Sequence, residues 1–295
     1  MSSADALIIN AAITGCVVTK NDTPHLPVTH HEIVNCARRV QDAGASIIHL
    51  HARNADQSPC YEAAVYRDLV GAVREACGNM IVCVSLSGRY VPSVDARAAA
   101  LESGPDMASL TLGSMNFAKQ ASVNSPDVIR ELATRIYAAN AVPEMEVFEA
   151  GFINFANYLI SKGTLRPPYY FNLILGALGA APLDLVGLGH MVSMLPQNSI
   201  WAVGGLGQYQ LDANVMSIAA GGHVRVGVED NLYFDRRKTQ LADNLQMVER
   251  LARIAREMGR PPATASEARQ LIGLPQARLD LLPSQTVVSG AQHGN

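Results

Sequence analysis

The chain has 295 residues, 48% of them hydrophobic and 17% charged, which is enough apolar material for a large core and too little charge for a disordered polymer. Its formal net charge is −3 with 23 Lys and Arg, and its basic run Arg236-Arg237-Lys238 is too short for the footprint of a nucleic-acid binder. Five cysteines (Cys16, Cys36, Cys60, Cys77, Cys83) are an odd set without Cys-x-x-Cys spacing, which reads as buried thiols in a reducing compartment rather than as a disulfide frame.

Short apolar runs alternate with longer amphipathic stretches along the whole chain. The first candidate strand, 6–13, precedes a helix that Thr29 can cap, with Glu32 three residues on to complete a capping box and Gly44 to end it. Strands follow at 46–51, 80–85 and 107–112, and Ser125-Pro126 then opens a helix over 127–139 with proline in its first turn. Further strands at 143–148, 169–175, 199–203 and 223–228 bring the set to eight. Across 235–258, Leu241, Leu245, Val248, Leu251, Ala252 and Ala255 keep a 3.6-residue rhythm. A long helix is predicted there, with Arg236-Arg237-Lys238 as its solvated start and Gly259-Arg260-Pro261-Pro262 as its stop. Eight nearly continuous apolar strands, each followed by a helix, predict an α/β chain folded as a single-domain (β/α)8 TIM barrel. Residues 1–283 are assigned to the barrel with a C-terminal helical extension, and 284–295 to a flexible tail. The first residues lack the basic region and apolar stretch of a signal peptide, and no run of roughly 18 apolar residues occurs, so a cytoplasmic protein is expected.

The most informative segment is Ile47-Ile48-His49-Leu50-His51-Ala52. Side chains at i and i+2 of a strand share a face, so His49 and His51 project together at the C-terminal end of the second strand, where barrel enzymes place their chemistry. Two imidazoles so placed can share a metal ion. The end of the eighth strand, Gly221-Gly222-His223 through Glu229-Asp230-Asn231, brings Arg225, Glu229 and Asp230 to the same mouth. Adjacent Glu229 and Asp230 cannot both face one ion easily; the division taken gives Glu229 to the metal and leaves Asp230 for proton chemistry. His190 and His223 read as packed or hydrogen-bonded histidines. Two histidines and a carboxylate leave coordination positions open, as in catalytic zinc sites, although the same set suits iron(II). Such an ion polarises a carbonyl and stabilises a neighbouring carbanion. Gly204-Gly205-Leu206-Gly207, after the seventh strand, reads equally as a tight turn or as a place for a phosphate or thioester to approach.

Together with Ala11-Ala12-Ile13-Thr14-Gly15, His49-Leu50-His51-Ala52-Arg53, Val142-Pro143-Glu144-Met145-Glu146-Val147 and Trp201-Ala202-Val203-Gly204-Gly205, these motifs resemble the β-keto acid cleavage enzymes along nearly the whole chain. The resemblance implies a zinc barrel, usually a homotetramer, that converts a β-keto acid and acetyl-CoA into acetoacetate and a new acyl-CoA. It implies His49, His51 and Glu229 as metal ligands with one zinc per subunit. It places Asp230, Arg225 and Glu146 at substrate deprotonation, and Ser85, Gly88 and Ser109 along the substrate.

Three positions depart from the family pattern. Val17 stands where an acidic residue meets a substrate ammonium group, Leu86-Ser87-Gly88-Arg89 replaces the usual Thr-Gly-Gly run, and Thr111 replaces an asparagine. Burying an ammonium against Val17 without a partner costs roughly several kcal/mol, so the substrate tail is expected not to be an amine. Val17 and Leu86 favour a neutral or apolar tail. An inward Arg89 favours a second carboxylate, as in 3-oxoadipate, but exposure is the commoner fate of a loop arginine. Two other function classes compete: a metal-dependent hydrolase of the amidohydrolase type, and a non-catalytic small-molecule-binding barrel. The first places its His-x-His pair on the first strand and needs histidines on middle strands; here 143–148 and 169–175 have none.

Overall fold

The computed structural model describes residues 5–91 and 93–276. Eight parallel strands close on themselves: β1 (Ile9–Ala12), β2 (Ile47–Leu50), β3 (Ile81–Val84), β4 (Met107–Thr111), β5 (Val142–Val147), β6 (Tyr169–Leu175), β7 (Ser199–Gly205) and β8 (His223–Val226). Consecutive strands are neighbours, and β1 pairs with both β2 and β8. Helices α1 (His30–Ala43), α2 (Ala63–Cys77), α3 (Val94–Ala98), α4 (Pro126–Ala138), α5 (Ala150–Ser161), α6 (Leu185–Met194), α7 (Gln210–Ala219) and α8 (Asn244–Glu257) follow the strands in turn. This is the TIM barrel that the sequence predicts.

Local signals behave as their chemistry requires. Thr29 and Glu32 form the reciprocal capping box, and Gly44 ends α1 with φ +117°. Ser125 caps α4 with Pro126 inside its first turn. The helix predicted over 235–258 begins later, at Asn244, with Asp243 as its cap. Asp235 prevents the earlier start: its carboxylate accepts backbone N–H bonds from Thr239 and Gln240 at 2.9 and 2.8 Å. A turn forms in place of a helix, and Lys238 takes φ +57°. Arg236-Arg237-Lys238 therefore lies in a loop. The predicted tail, 284–295, falls outside the described residues.

Strand alternation sorts the barrel interior into tiers. Ile8, Ile47, Ile81, Met107 and Tyr170 form an apolar floor, and a ninth helix, α9 (Ala265–Ile272), adds Ala268 and Ile272 to the same cluster. Arg269 on α9 locks this cover through Asp106 at 3.0 Å. Two residues further along the strands the interior turns polar, with Asn10, His49, Cys83, Glu144 and Asn172 all buried. Two more residues along, His51, Ser85, Thr111 and Glu146 reach the mouth. The larger cluster packs the outer strand faces against the helices.

Candidate functional site

The site stands on β2, β5 and the turn after β8. Two side-chain amides fix that turn by bonding the backbone: Gln210 donates to the carbonyl of Gly227, and Asn244 accepts from Val228 N–H while donating to the carbonyl of Ile13. Gly227, at φ +155°, leaves no room for a Cβ, which would lie 1.9 Å from the carbonyl oxygen of Ala12. Gly15, at φ +65°, lets the β1 loop pass Glu229 closely, since a Cβ there would lie 2.7 Å from Glu229 Cγ. Arg53 ties the same loop down by donating to the carbonyls of Gly15 at 2.7 Å and Val18 at 2.8 Å.

Glu229 Oε1 lies 3.3 Å from His51 Nε2 and 3.9 Å from His49 Nε2. One ligand atom from each of these three residues lies within 4.8 Å of the others. His49 Nε2, His51 Nε2 and Glu229 Oε2 are buried without a hydrogen-bond partner. Buried polar atoms are rarely left so, and these are the atoms a divalent cation would use; the donor set fits zinc. A second group, His49, Cys83 and Glu144, is already satisfied internally. His49 Nδ1 is 2.8 Å from Glu144 Oε2, and the Cys83 thiol donates to that oxygen at 3.3 Å. Burial, with Glu144 beside it, pushes the Cys83 thiol well above its ordinary pKa, so it stays protonated.

Glu144 is the deepest charge in the site and sequence reasoning gave it no role. Its other oxygen accepts from Asn10 Nδ2 at 2.6 Å and Asn172 Nδ2 at 3.1 Å. Burial alone would raise its pKa, but His49 and Arg225 outweigh burial and bring it down to about 2. An ionised carboxylate accepts only, so His49 donates from Nδ1 and its Nε2 is left on the side of Glu229, free to serve as a ligand once unprotonated. The signal was available: Glu144 and Glu146 alternate on β5 as His49 and His51 alternate on β2.

Arg225, 2% exposed, lies beside three acids of the mouth and Glu144 below them. It donates to Asp230 Oδ2 at 2.8 Å and Glu229 Oε1 at 2.8 Å. Its Nη1 is 3.6 Å from Glu146 and 4.0 Å from Glu144, buried and without a hydrogen-bond partner. An aspartate beside an arginine is expected to have a lowered pKa, yet Asp230 is raised: burial comes first, and Glu229 adds to it against Arg225. Glu146 is raised for the same leading reason, with Glu144 adding, and it accepts from Thr111 Oγ1 at 2.6 Å.

A cavity of about 210 Å³ opens above these residues. Val17, His51, Ser85, Thr111 and Glu146 line it with Arg225, Glu229 and Asp230. Ser109 stands behind that wall, its Oγ accepting from Leu86 N–H at 3.0 Å. Gly88 faces Arg97, whose Nη1 would lie 2.6 Å from a Cβ at that position. Arg89 turns into the cavity, against the commoner arrangement. A two-stranded ribbon, Met115–Asn116 with Ala121–Ser122, brings Phe117 to the cavity beside Arg89. His223 Nδ1 accepts from Ile8 N–H, so it is the hydrogen-bonded histidine expected, and His190 lies exposed on α6. The Gly204–Gly207 segment forms a tight turn: Gly207 N–H donates to the Asp230 carbonyl at 2.7 Å, and Gly205 passes the Tyr209 backbone too closely for a side chain.

Residues 6–274 match the β-keto acid cleavage enzyme family. The chain belongs to that family. One family relative, the 3-keto-5-aminohexanoate cleavage enzyme of Acetoanaerobium sticklandii, is 38% identical over 274 residues, covering 92% of this chain and 99% of its own. The 3-oxoadipate:acetyl-CoA acetyltransferase of Cupriavidus necator is 34% identical over 276 residues, covering 92% and 96%. Among solved structures the apo form of ObcA aligns with a TM-score of 0.72 at 21% identity, over 85% of this chain and 66% of that one, a likeness of fold.

Proposed function

We propose that this family member is a zinc-dependent acyltransferase: a β-keto acid and acetyl-CoA enter, and acetoacetate and a new acyl-CoA leave. The observation that carries the reading is the trio of unpartnered buried atoms on His49, His51 and Glu229 at the rim of a cavity. These three residues would hold the ion. When bound, it would polarise the keto oxygen and stabilise negative charge developing on the α-carbon.

The chain's own groups would do the rest. Asp230 would take the α-proton, its raised pKa making it a better base than an ordinary aspartate. Arg225 would hold Asp230 in place through its Nε and has Nη1 left to donate. Glu146, 3.6 Å from Arg225 Nη1 and bonded by Thr111, would complete the same network. Ser85 and Thr111 would flank the acid, with Ser109 and Gly88 shaping the wall behind. The α-carbanion attacks the thioester carbonyl, CoA passes to the former keto carbon, and retro-Claisen cleavage releases acetoacetate; every atom of the two reactants reappears in the two products. The cavity is smaller than the roughly 300–1,000 Å³ of drug-sized pockets, which suits a small acid and the thioester end of CoA.

A substrate amine is disfavoured because Val17 lines the cavity and the acids there, Glu146, Glu229 and Asp230, all face Arg225. Location in the cytoplasm is supported by five unpaired cysteines, and no helix among the described residues is long and apolar enough to cross a membrane. Assembly into an oligomer, a homotetramer on the family expectation, would cover Leu178, Leu185 and Val186, which are 76–88% exposed. The test is acetoacetate release from acetyl-CoA across a panel of β-keto acids, before and after chelation. Metal-dependent release is expected; ligand binding without turnover would favour the non-catalytic barrel, and hydrolysis without CoA the hydrolase.

A further inference from the structure

Two cations reach the cavity, and their situations differ. Arg225 is engaged by carboxylates at 2.8, 2.8 and 3.6 Å. Arg89 has no carboxylate partner among the described residues, and its Nε is buried without a hydrogen-bond partner. What Arg89 does have is a ring: its guanidinium carbon lies 3.6 Å over the centroid of Phe117. Phe117 is in turn packed edge-on against Phe148, with centroids 5.8 Å apart. Stacking fixes the guanidinium plane and satisfies its charge in part, but it leaves the in-plane N–H donors unused. A half-buried fork held in plane by a ring, with open donors, is the arrangement that receives a carboxylate in two parallel hydrogen bonds.

Resting on the proposed cleavage reaction, we infer that Arg89 receives a second carboxylate on the substrate, so that the preferred substrate is a β-keto dicarboxylic acid. The keto and first carboxylate groups lie at the His49–His51–Glu229 end, and the far carboxylate meets Arg89 on the wall that Phe117 supports. Val17 and Phe148, lining the same cavity, contact the methylenes between. Arg89 is a specificity residue here and touches none of the reacting atoms.

The test compares 3-oxoadipate with 3-oxohexanoate, which has the same carbon chain but ends in a methyl group. Zinc-loaded wild type is expected to favour the diacid by about 10- to 100-fold in kcat/KM, the worth of one charged hydrogen-bonded pair. That ratio should collapse in Arg89→Leu and be kept in part by Arg89→Lys, which retains the charge and loses the fork. Circular dichroism checks that both variants fold, and the lysine variant carries the test if the leucine one does not. No diacid preference in wild type would overturn the inference. Equal losses on both acids would also overturn it, since Arg89 would then serve the carboxylate they share. A loss confined to the KM of acetyl-CoA would place the anion on the thioester and overturn it too. Absence of turnover with every keto acid would instead refute the proposed reaction, and calorimetric binding of the two acids to the holoprotein would then decide Arg89 by the same ratio.

Discussion

Replacing Glu144 by glutamine keeps the size of the side chain and changes only its hydrogen-bonding character. Oε1 accepts from two asparagine amides and Oε2 from His49 Nδ1 and the Cys83 thiol. Glutamine must turn an NH2 towards one of these donor pairs. If it faces His49, the histidine proton moves to Nε2 and the lone pair that would meet the metal is gone. If it faces Asn10 and Asn172, donors oppose donors in a buried space and one amide must turn. Losing such an orienting partner weakens metal binding by about 10- to 100-fold, or roughly 1.4–2.7 kcal/mol. The assay is zinc competition against a chromophoric chelator on protein stripped of metal, with 15N chemical shifts reporting the His49 tautomer. Wild-type zinc affinity in a folded Glu144→Gln protein, with His49 still protonated on Nδ1, would refute the reasoning.

Asp230→Asn should lower kcat about 100- to 10,000-fold, the usual contribution of a general base, with zinc content by mass spectrometry unchanged. Gly15→Ala should weaken zinc binding, because its Cβ would lie 2.7 Å from Glu229 Cγ at a φ of +65°; equilibrium dialysis checks this. Arg269→Met should cost about 3–5 kcal/mol in urea unfolding at pH 7, as breaking a buried pair does. Burial would raise Asp106, but Arg269, the Val82 N–H and Arg74 hold its pKa below the ordinary value. That stabilisation is complete above the unfolded pKa and is lost as pH falls through the folded one, so the gap between wild type and variant should narrow in acid.

The barrel could be read from the chain because each strand is a near-continuous apolar run and each helix carries its own caps. The candidate metal ligands were legible for a local reason: alternation on β2 puts His49 and His51 on one face whatever the rest of the fold does. Glu144 was harder to see, since its partners come from β1, β2, β3 and β6 and only barrel closure assembles them. The orientation of Arg89 depended on the Met115–Ser122 ribbon, whose two-residue strands leave almost no periodic signal. Asp230 could not be assigned a pKa direction from its arginine neighbour alone, because burial and Glu229 act against that neighbour. The late start of α8 came from one competing side chain, Asp235, inside a stretch with good helical rhythm.

The central claim is that the imidazoles of β2 and the carboxylate after β8 hold one cation. Anomalous diffraction at the zinc edge from crystals grown with zinc tests it directly. The account predicts a single strong peak within about 2.0–2.2 Å of His49 Nε2, His51 Nε2 and a Glu229 oxygen. A peak among His49, Cys83 and Glu144, or none at all, would contradict it.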